Sequence, residues 1–234
     1  MASESLTSEA AVQLLTPFSS CEISDAATKL SIPVLLVNLC ARSPQPDMVA
    51  TLRVSGPAHT VEFVSASDTE SPRLPASIPH HVDVASAGSV IVIKAPSTTP
   101  NAVWGGLMSA RAAAIGCQGV VVDGRVRDIR EHWEIGLPVF AAGQSTLGAG
   151  PFTRVSQIRH SITVGREAGY PVVVNHGDII VGDIDGVVCV PIDRVAEVAQ
   201  VAAKGVAVDE KCMTDIKAGR GIAETFAEHR GKKN

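Results

Sequence analysis

The sequence predicts an α/β fold, and three observations carry that expectation. Short β-branched runs alternate with helical stretches along most of the chain, the arrangement expected when helices pack on a sheet. Hydrophobic residues make up 45% of the 234 and charged residues 19%, enough for a full core and too apolar for a disordered chain. No fixed-period repeat or linker divides the sequence, so at roughly 150 residues per domain it reads as one large domain. Residues 1–20 form an N-terminal segment in this reading, and 21–234 a single domain with a helical C-terminal extension.

Each element has a local reason. Ser24-Asp25 before Ala-Ala-Thr-Lys-Leu has the form of a helix N-cap and first turn, stopped before Pro33. β-rich stretches follow at 49–54, 59–64 and 89–93, while the polar run 65–79 and the segment 96–100 read as exposed loops. Residues 107–115 (LMSARAAAI) are strong helix formers closed by Gly116 as a C-cap. Residues 119–123 (GVVVD) read as a buried strand broken by Gly124. A short helix at 129–135 ends at Gly136, and a strand follows at 138–142. Three more strands are expected at 172–174, 179–181 and 187–190. An amphipathic helix at 192–204 and a charged one at 209–229, interrupted by Gly219 and Gly221, complete the chain.

Composition excludes several classes. Aromatics are 3%, too few for base-stacking or carbohydrate platforms, and 20 basic against 24 acidic residues leave no basic field for nucleic acid. No apolar run approaches the ~20 residues of a membrane span, and the N-terminus lacks a secretory pattern. Cys21, Cys40, Cys117, Cys189 and Cys212 are odd in number and unpaired in spacing, which points to a reducing, cytoplasmic setting rather than disulfides or zinc.

The chemistry concentrates in residues 104–128, WGGLMSARAAAIGCQGVVVDGRVRD. A ten-residue helix rises ~15 Å, and the five-residue strand after it returns ~17 Å. Packed side by side, they bring Arg127 and Asp128 to the helix start. Gly105 and Gly106 there let the backbone approach a ligand, and the open N–H groups favour an anion. The amides of Leu107 and Met108 could then hold one carboxylate oxygen while Arg127 grips the carboxylate with two prongs. Asp128 would offer an oxygen to Mg²⁺, and a 2-oxo acid would complete the coordination, the cation stabilising an enolate as a C–C bond breaks. The plain alternative is a glycine turn beside a solvated local ion pair.

The same stretch resembles the central signature of the RraA-like family, which includes 4-hydroxy-4-methyl-2-oxoglutarate/4-carboxy-4-hydroxy-2-oxoadipate aldolases. SDAATKL, the segment 87–93, GLPVFAAG and HGDIIVGDIDGVVCVP are similar to flanking family segments, so the resemblance spans roughly residues 20–225. It implies a β/β/α swivelling-type fold with a C-terminal helix, trimers or hexamers with sites between subunits, and Mg²⁺- or Mn²⁺-dependent lyase chemistry. That chemistry is retro-aldol cleavage to pyruvate or decarboxylation of oxaloacetate. By position, Arg127 matches the pyruvate-binding arginine, Asp128 the metal-binding aspartate, and Leu107 and Met108 the carboxylate-receiving amides. Glu210 fits best as a glutamate contributed by a neighbouring subunit.

One departure matters. The aldolases carry Asp or Glu, then twenty residues, then the Arg-Asp pair, and at that first position this chain has Gly106. Retro-aldol cleavage needs a base for the substrate hydroxyl, whereas decarboxylation does not. The loss should therefore weaken aldolase activity more, unless Asp123, Glu210 or another carboxylate supplies the role, in which case Gly106→Asp should change nothing. Two other functions stay in view: an enzyme repurposed for another metal-dependent reaction on a biosynthetic intermediate, and a non-catalytic regulator of a protein partner.

The remaining candidates have bland readings. His80-His81 face opposite ways on an extended chain and suit a loop better than one metal. His132 belongs either to the site's rim or to a solvated helix face. Asp178, Asp183 and Asp185 read as turn residues, lacking a calcium-loop spacing. Trp104 either lines the pocket or packs as a hydrophobic staple.

Overall fold

Alternating burial along the strands explains the architecture. In the computed structural model, which describes residues 6–231, strands β3 (Val90–Lys94) and β4 (Gly119–Val126) are buried on both faces. Val90, Val92 and Val121 enter one cluster, and Ile91, Ile93, Val120 and Val122 the opposite one, the period-two division of a covered sheet. In chain order the helices are α1 (Ser8–Leu15), α2 (Ser20–Lys29), α3 (Gly106–Ile115), α4 (Ile129–Ile135), α5 (Val195–Lys217) and α6 (Ile222–His229). The other strands are β1 (Cys40–Ser43), β2 (Val54–Ser65), β5 (Val139–Gln144), β6 (Thr153–Ile158), β7 (Ile162–Val164), β8 (Val172–Val174), β9 (Ile179–Asp183) and β10 (Gly186–Val190).

The main sheet runs β1-β5-β4-β3-β2-β9-β10, with β6 also paired to β2. β2, β3, β4 and β5 are mutually parallel, while β1, β6, β9 and β10 join antiparallel. The sheet curls until β1 and β10 approach one another, a nearly closed barrel whose interior holds Leu36, Val54, Phe140 and Cys189. A second layer packs α3 and α4 on one outer face around Trp104 and Ala112. A third packs α1, α2 and α5 on β9 and β10; Ala11 and Leu15, from the segment the sequence set apart, are fully buried there.

The α/β class with a C-terminal helix is therefore present, with local differences. Helix α2 begins at Ser20, not Ser24, because Ser19 and Glu22 form a reciprocal capping box. Residues 46–51 are a 3₁₀ turn, and the separate β runs at 49–54 and 59–64 give way to one twelve-residue β2. Gly124 does not break β4: it adopts φ +159° within a shift of register against β5, and pairing resumes at Arg125. The two expected C-terminal helices are one 23-residue α5 running through Gly205, followed by α6.

Candidate active site

Helix α3 has no side-chain cap at its start; Gly105 stands in the capping position. The chain just before it runs parallel to β4, with Trp104 bridged to Val126, and Arg127 N–H donating to Trp104 O (3.0 Å). The return predicted from element lengths is thus realised. Gly106 N–H donates to Asp128 Oδ2 (3.1 Å), and Arg127 Nε lies 3.2 Å from the same oxygen. Asp128 holds a left-handed conformation, φ 60° and ψ 42°, at the head of α4.

Of the two amides expected to hold a carboxylate, Leu107 N–H has no acceptor among the described residues, whereas Met108 N–H donates to Gly105 O (3.1 Å). One amide is therefore left unpaired at the helix start, and Leu107 and Arg127 line the same cavity. A Cβ at Gly105 would lie 2.6 Å from Asp128 Oδ2, so no larger residue allows this approach.

Gly105, Leu107, Met108, Arg127 and Asp128 line one wall of a cavity of about 560 Å³. Phe63, Leu74, Ile78 and Val155 add apolar lining to the same cavity. The long 65–79 loop thus contributes a wall of the site, which its polar composition concealed. Arg154 also lines the cavity, but its guanidinium donates to the carbonyls of Pro72 (2.7 Å), Asp68 (3.0 Å) and Ser71 (2.9 Å), binding that loop in place.

Among the described residues, no group of three or more His, Cys, Asp or Glu is placed to hold a metal. A closed all-protein centre is therefore not built here. A hard cation that keeps several waters still suits this donor set. Asp128 Oδ2 is fixed by its two partners, and no hydrogen bond among the described residues claims Oδ1.

The RraA-like family profile, Aldolase/RraA, matches residues 20–189. The chain belongs to the RraA-like family. A Halalkalibacterium halodurans protein named "Putative 4-hydroxy-4-methyl-2-oxoglutarate aldolase" is 35% identical over 158 residues, covering 68% of this chain and 69% of that one. Among solved structures, an uncharacterized Pseudomonas syringae pv. tomato protein superposes with TM-score 0.77 at 23% identity, covering 94% of this chain and 98% of that one. Streptomyces coelicolor RraAS2, described as an unusual member of the RNase ES inhibitor RraA protein family, superposes at TM-score 0.70 and 24% identity, covering 85% and 94%. At under 25% identity, these two structures speak for the fold alone.

The RraA-like departure at Gly106 has a spatial explanation. A Cβ placed there would lie 1.6 Å from Glu131 Oε2, 2.6 Å from Glu131 Cδ and 2.8 Å from Glu131 Cβ. The first turn of α4 fills the volume a side chain at 106 would need. Glu131 gave no signal in the sequence, because it lies twenty-five positions after Gly106 and only the packing of α3 on α4 brings the two together. A side chain at 106 therefore requires the exposed Glu131 side chain to move aside.

The other candidate carboxylates lie elsewhere. Asp123 accepts from Gly165 N–H (3.1 Å) and faces Lys94 (3.8 Å) in a separate cavity, its pKa raised chiefly by burial. Glu210 is exposed on α5 and, within one chain, is not brought to Arg127 and Asp128.

His132 corrects both readings made of it. It is fully buried behind the site, its Nδ1 3.0 Å from Ser109 Oγ, which also accepts from Trp104 Nε1 (2.8 Å). This chain locks α3 to α4, and burial holds the imidazole below its ordinary pKa. Trp104 both lines the cavity and is anchored by that bond. His81, buried in the cavity wall against Phe63, is pushed down to about 3, mainly by burial and then by the neighbouring His80. Asp178 and Asp183 accept backbone N–H groups of Asn175, Ile192, Ser20 and Asp185, as turn residues do.

Proposed function

We propose that this RraA-like protein is a divalent-metal-dependent 2-oxo-acid lyase that releases pyruvate, by decarboxylating oxaloacetate or by retro-aldol cleavage of a 4-hydroxy-2-oxo acid. The observation that carries this reading is the meeting of Arg127, Asp128 and the unpaired Leu107 amide at one cavity. Arg127 binds the substrate carboxylate with two donors, and the Leu107 N–H takes one of its oxygens. Asp128, its orientation fixed by Gly106 N–H and Arg127, holds Mg²⁺ or Mn²⁺. When bound, the cation supplies Lewis acidity for the charge that develops on the 2-oxo oxygen. The apolar lining from Phe63, Leu74, Ile78 and Val155 limits water around the developing carbanion. A trimer or hexamer would let Glu210 of one subunit approach the site of another, and light scattering tests that assembly.

The deciding experiment measures pyruvate release from oxaloacetate and from 4-hydroxy-4-methyl-2-oxoglutarate, with Mg²⁺ and with chelator, beside Asp128→Ala. Metal-dependent turnover that disappears in Asp128→Ala supports the lyase. Metal binding without turnover of either substrate favours the repurposed enzyme, to which the missing carboxylate at 106 already points. No metal binding favours the regulator.

A further inference from the structure

We infer that Glu131 is the proton acceptor for retro-aldol cleavage at this site, taking in space the position that residue 106 leaves empty in sequence. The inference rests on the lyase reading above and adds the group that reading lacks. Cleavage of a 4-hydroxy-2-oxo acid removes the C4 hydroxyl proton to a base and breaks the C3–C4 bond. The bonding pair passes to C3 as the enolate of pyruvate, and C4 leaves as a carbonyl. The enolate then takes back a proton at C3, so the base is regenerated. Loss of CO₂ from oxaloacetate requires no such base, since the carboxylate itself becomes the leaving group.

A base here must carry a lone pair not already committed and must reach the substrate directly or through one water. Asp128 Oδ2 is engaged by Gly106 N–H and Arg127, and its Oδ1 is the oxygen the lyase reading gives to the cation. Asp123 is held by Gly165 N–H beside Lys94, in another cavity. His81 is buried and too weakly basic. His80, also at the cavity, has Nδ1 3.4 Å from Val82 N–H and its ring against His81.

Glu131 has none of these commitments: among the described residues no hydrogen bond or ion pair engages its carboxylate, and the residue is exposed. Its Oε2 lies 1.6 Å from the Cβ position of Gly106. Standard bond lengths then place that oxygen within about 4 Å of the Gly106 amide nitrogen. That amide is the donor to Asp128 Oδ2. The two carboxylates therefore flank one backbone N–H, Asp128 lining the cavity and Glu131 on the adjoining exposed surface, next to Gly105 and Leu107, which also line it. The absent side chain at 106 is what makes room for Glu131.

Three measurements test this. Glu131→Gln should lower retro-aldol turnover by roughly 100-fold, the usual scale for a lost general base, while Mn²⁺ affinity by calorimetry and oxaloacetate decarboxylation fall far less. Glu131→Asp should recover part of the loss, and so should Gly106→Asp/Glu131→Ala compared with Glu131→Ala alone. Independently of turnover, Gly106→Ala should melt below wild type, and Gly106→Ala/Glu131→Ala should regain the lost temperature. Equal falls in both reactions, or no fall in retro-aldol turnover, overturn the role of Glu131 while leaving the lyase standing. Coincident melting of the single and double variants overturns the shared position. A wild-type protein inactive on both substrates overturns the lyase reading, and this inference with it.

Discussion

Asp128 combines two requirements that pull on the same residue. Its left-handed backbone costs most side chains roughly 1–2 kcal/mol, but Asn and Asp far less. Asp128→Asn should therefore melt close to wild type while losing Mn²⁺ affinity, and Asp128→Ala should lose both affinity and stability; calorimetric binding and thermal unfolding separate the two effects. Nearby, Ser109 accepts from Trp104 Nε1 and partners His132 Nδ1, all within buried surroundings. Ser109→Ala strands both ring nitrogens, and a destabilisation of about 1–3 kcal/mol is expected in denaturant titration. At this scale the sequence was half legible. Arg127 and Asp128 follow from the helix-and-return geometry, because chain lengths set where the ends meet. His132 and Glu131 do not, because which face of a seven-residue helix turns inward depends on packing with α3.

The elements were legible where a local signal dominates. Gly116 at φ +88° ends α3, and Gly136 at φ +76° ends α4, both as the chain implied. They were illegible where tertiary contacts override a local rule. Glycine lowers helix propensity, yet α5 continues through Gly205 because Val198, Ala199 and Ala202 bury one side of it and Cys212 anchors the next turns. A Cβ at Gly205 would meet only Lys29 Nζ, at 3.8 Å. Gly205→Ala should accordingly stabilise the protein by about 0.5–1 kcal/mol, read as a raised melting temperature. β1, β6 and β7 carried no strand signal of their own, being three to six residues long and half-exposed in places; partner strands define them.

Across the whole molecule, the α/β class was readable from alternation alone, but the mixed sheet was not. Interleaved helices suggest parallel strands, and only the β2–β5 block obeys. The curled sheet also buries imidazoles. His59 is pushed down to about 4 and His81 to about 3, in each case mainly by burial. An unfolded chain protonates these rings near pH 6.5, the folded one only at the lower values. Their contribution to stability is thus complete above about pH 6.5 and is lost progressively as the pH falls toward 4 and then 3. Melting temperatures measured from pH 7.5 to 4.5 should decline, and His59→Gln should flatten the decline.

The overlap between the volume at Gly106 and the Glu131 side chain also constrains how such a chain can change over generations. A carboxylate at 106 and one at 131 draw on the same space, so a side chain gained at 106 is accommodated only as Glu131 swings outward or shortens. The history of one position is thus tied to that of the other, and mutations at them should combine non-additively in either order.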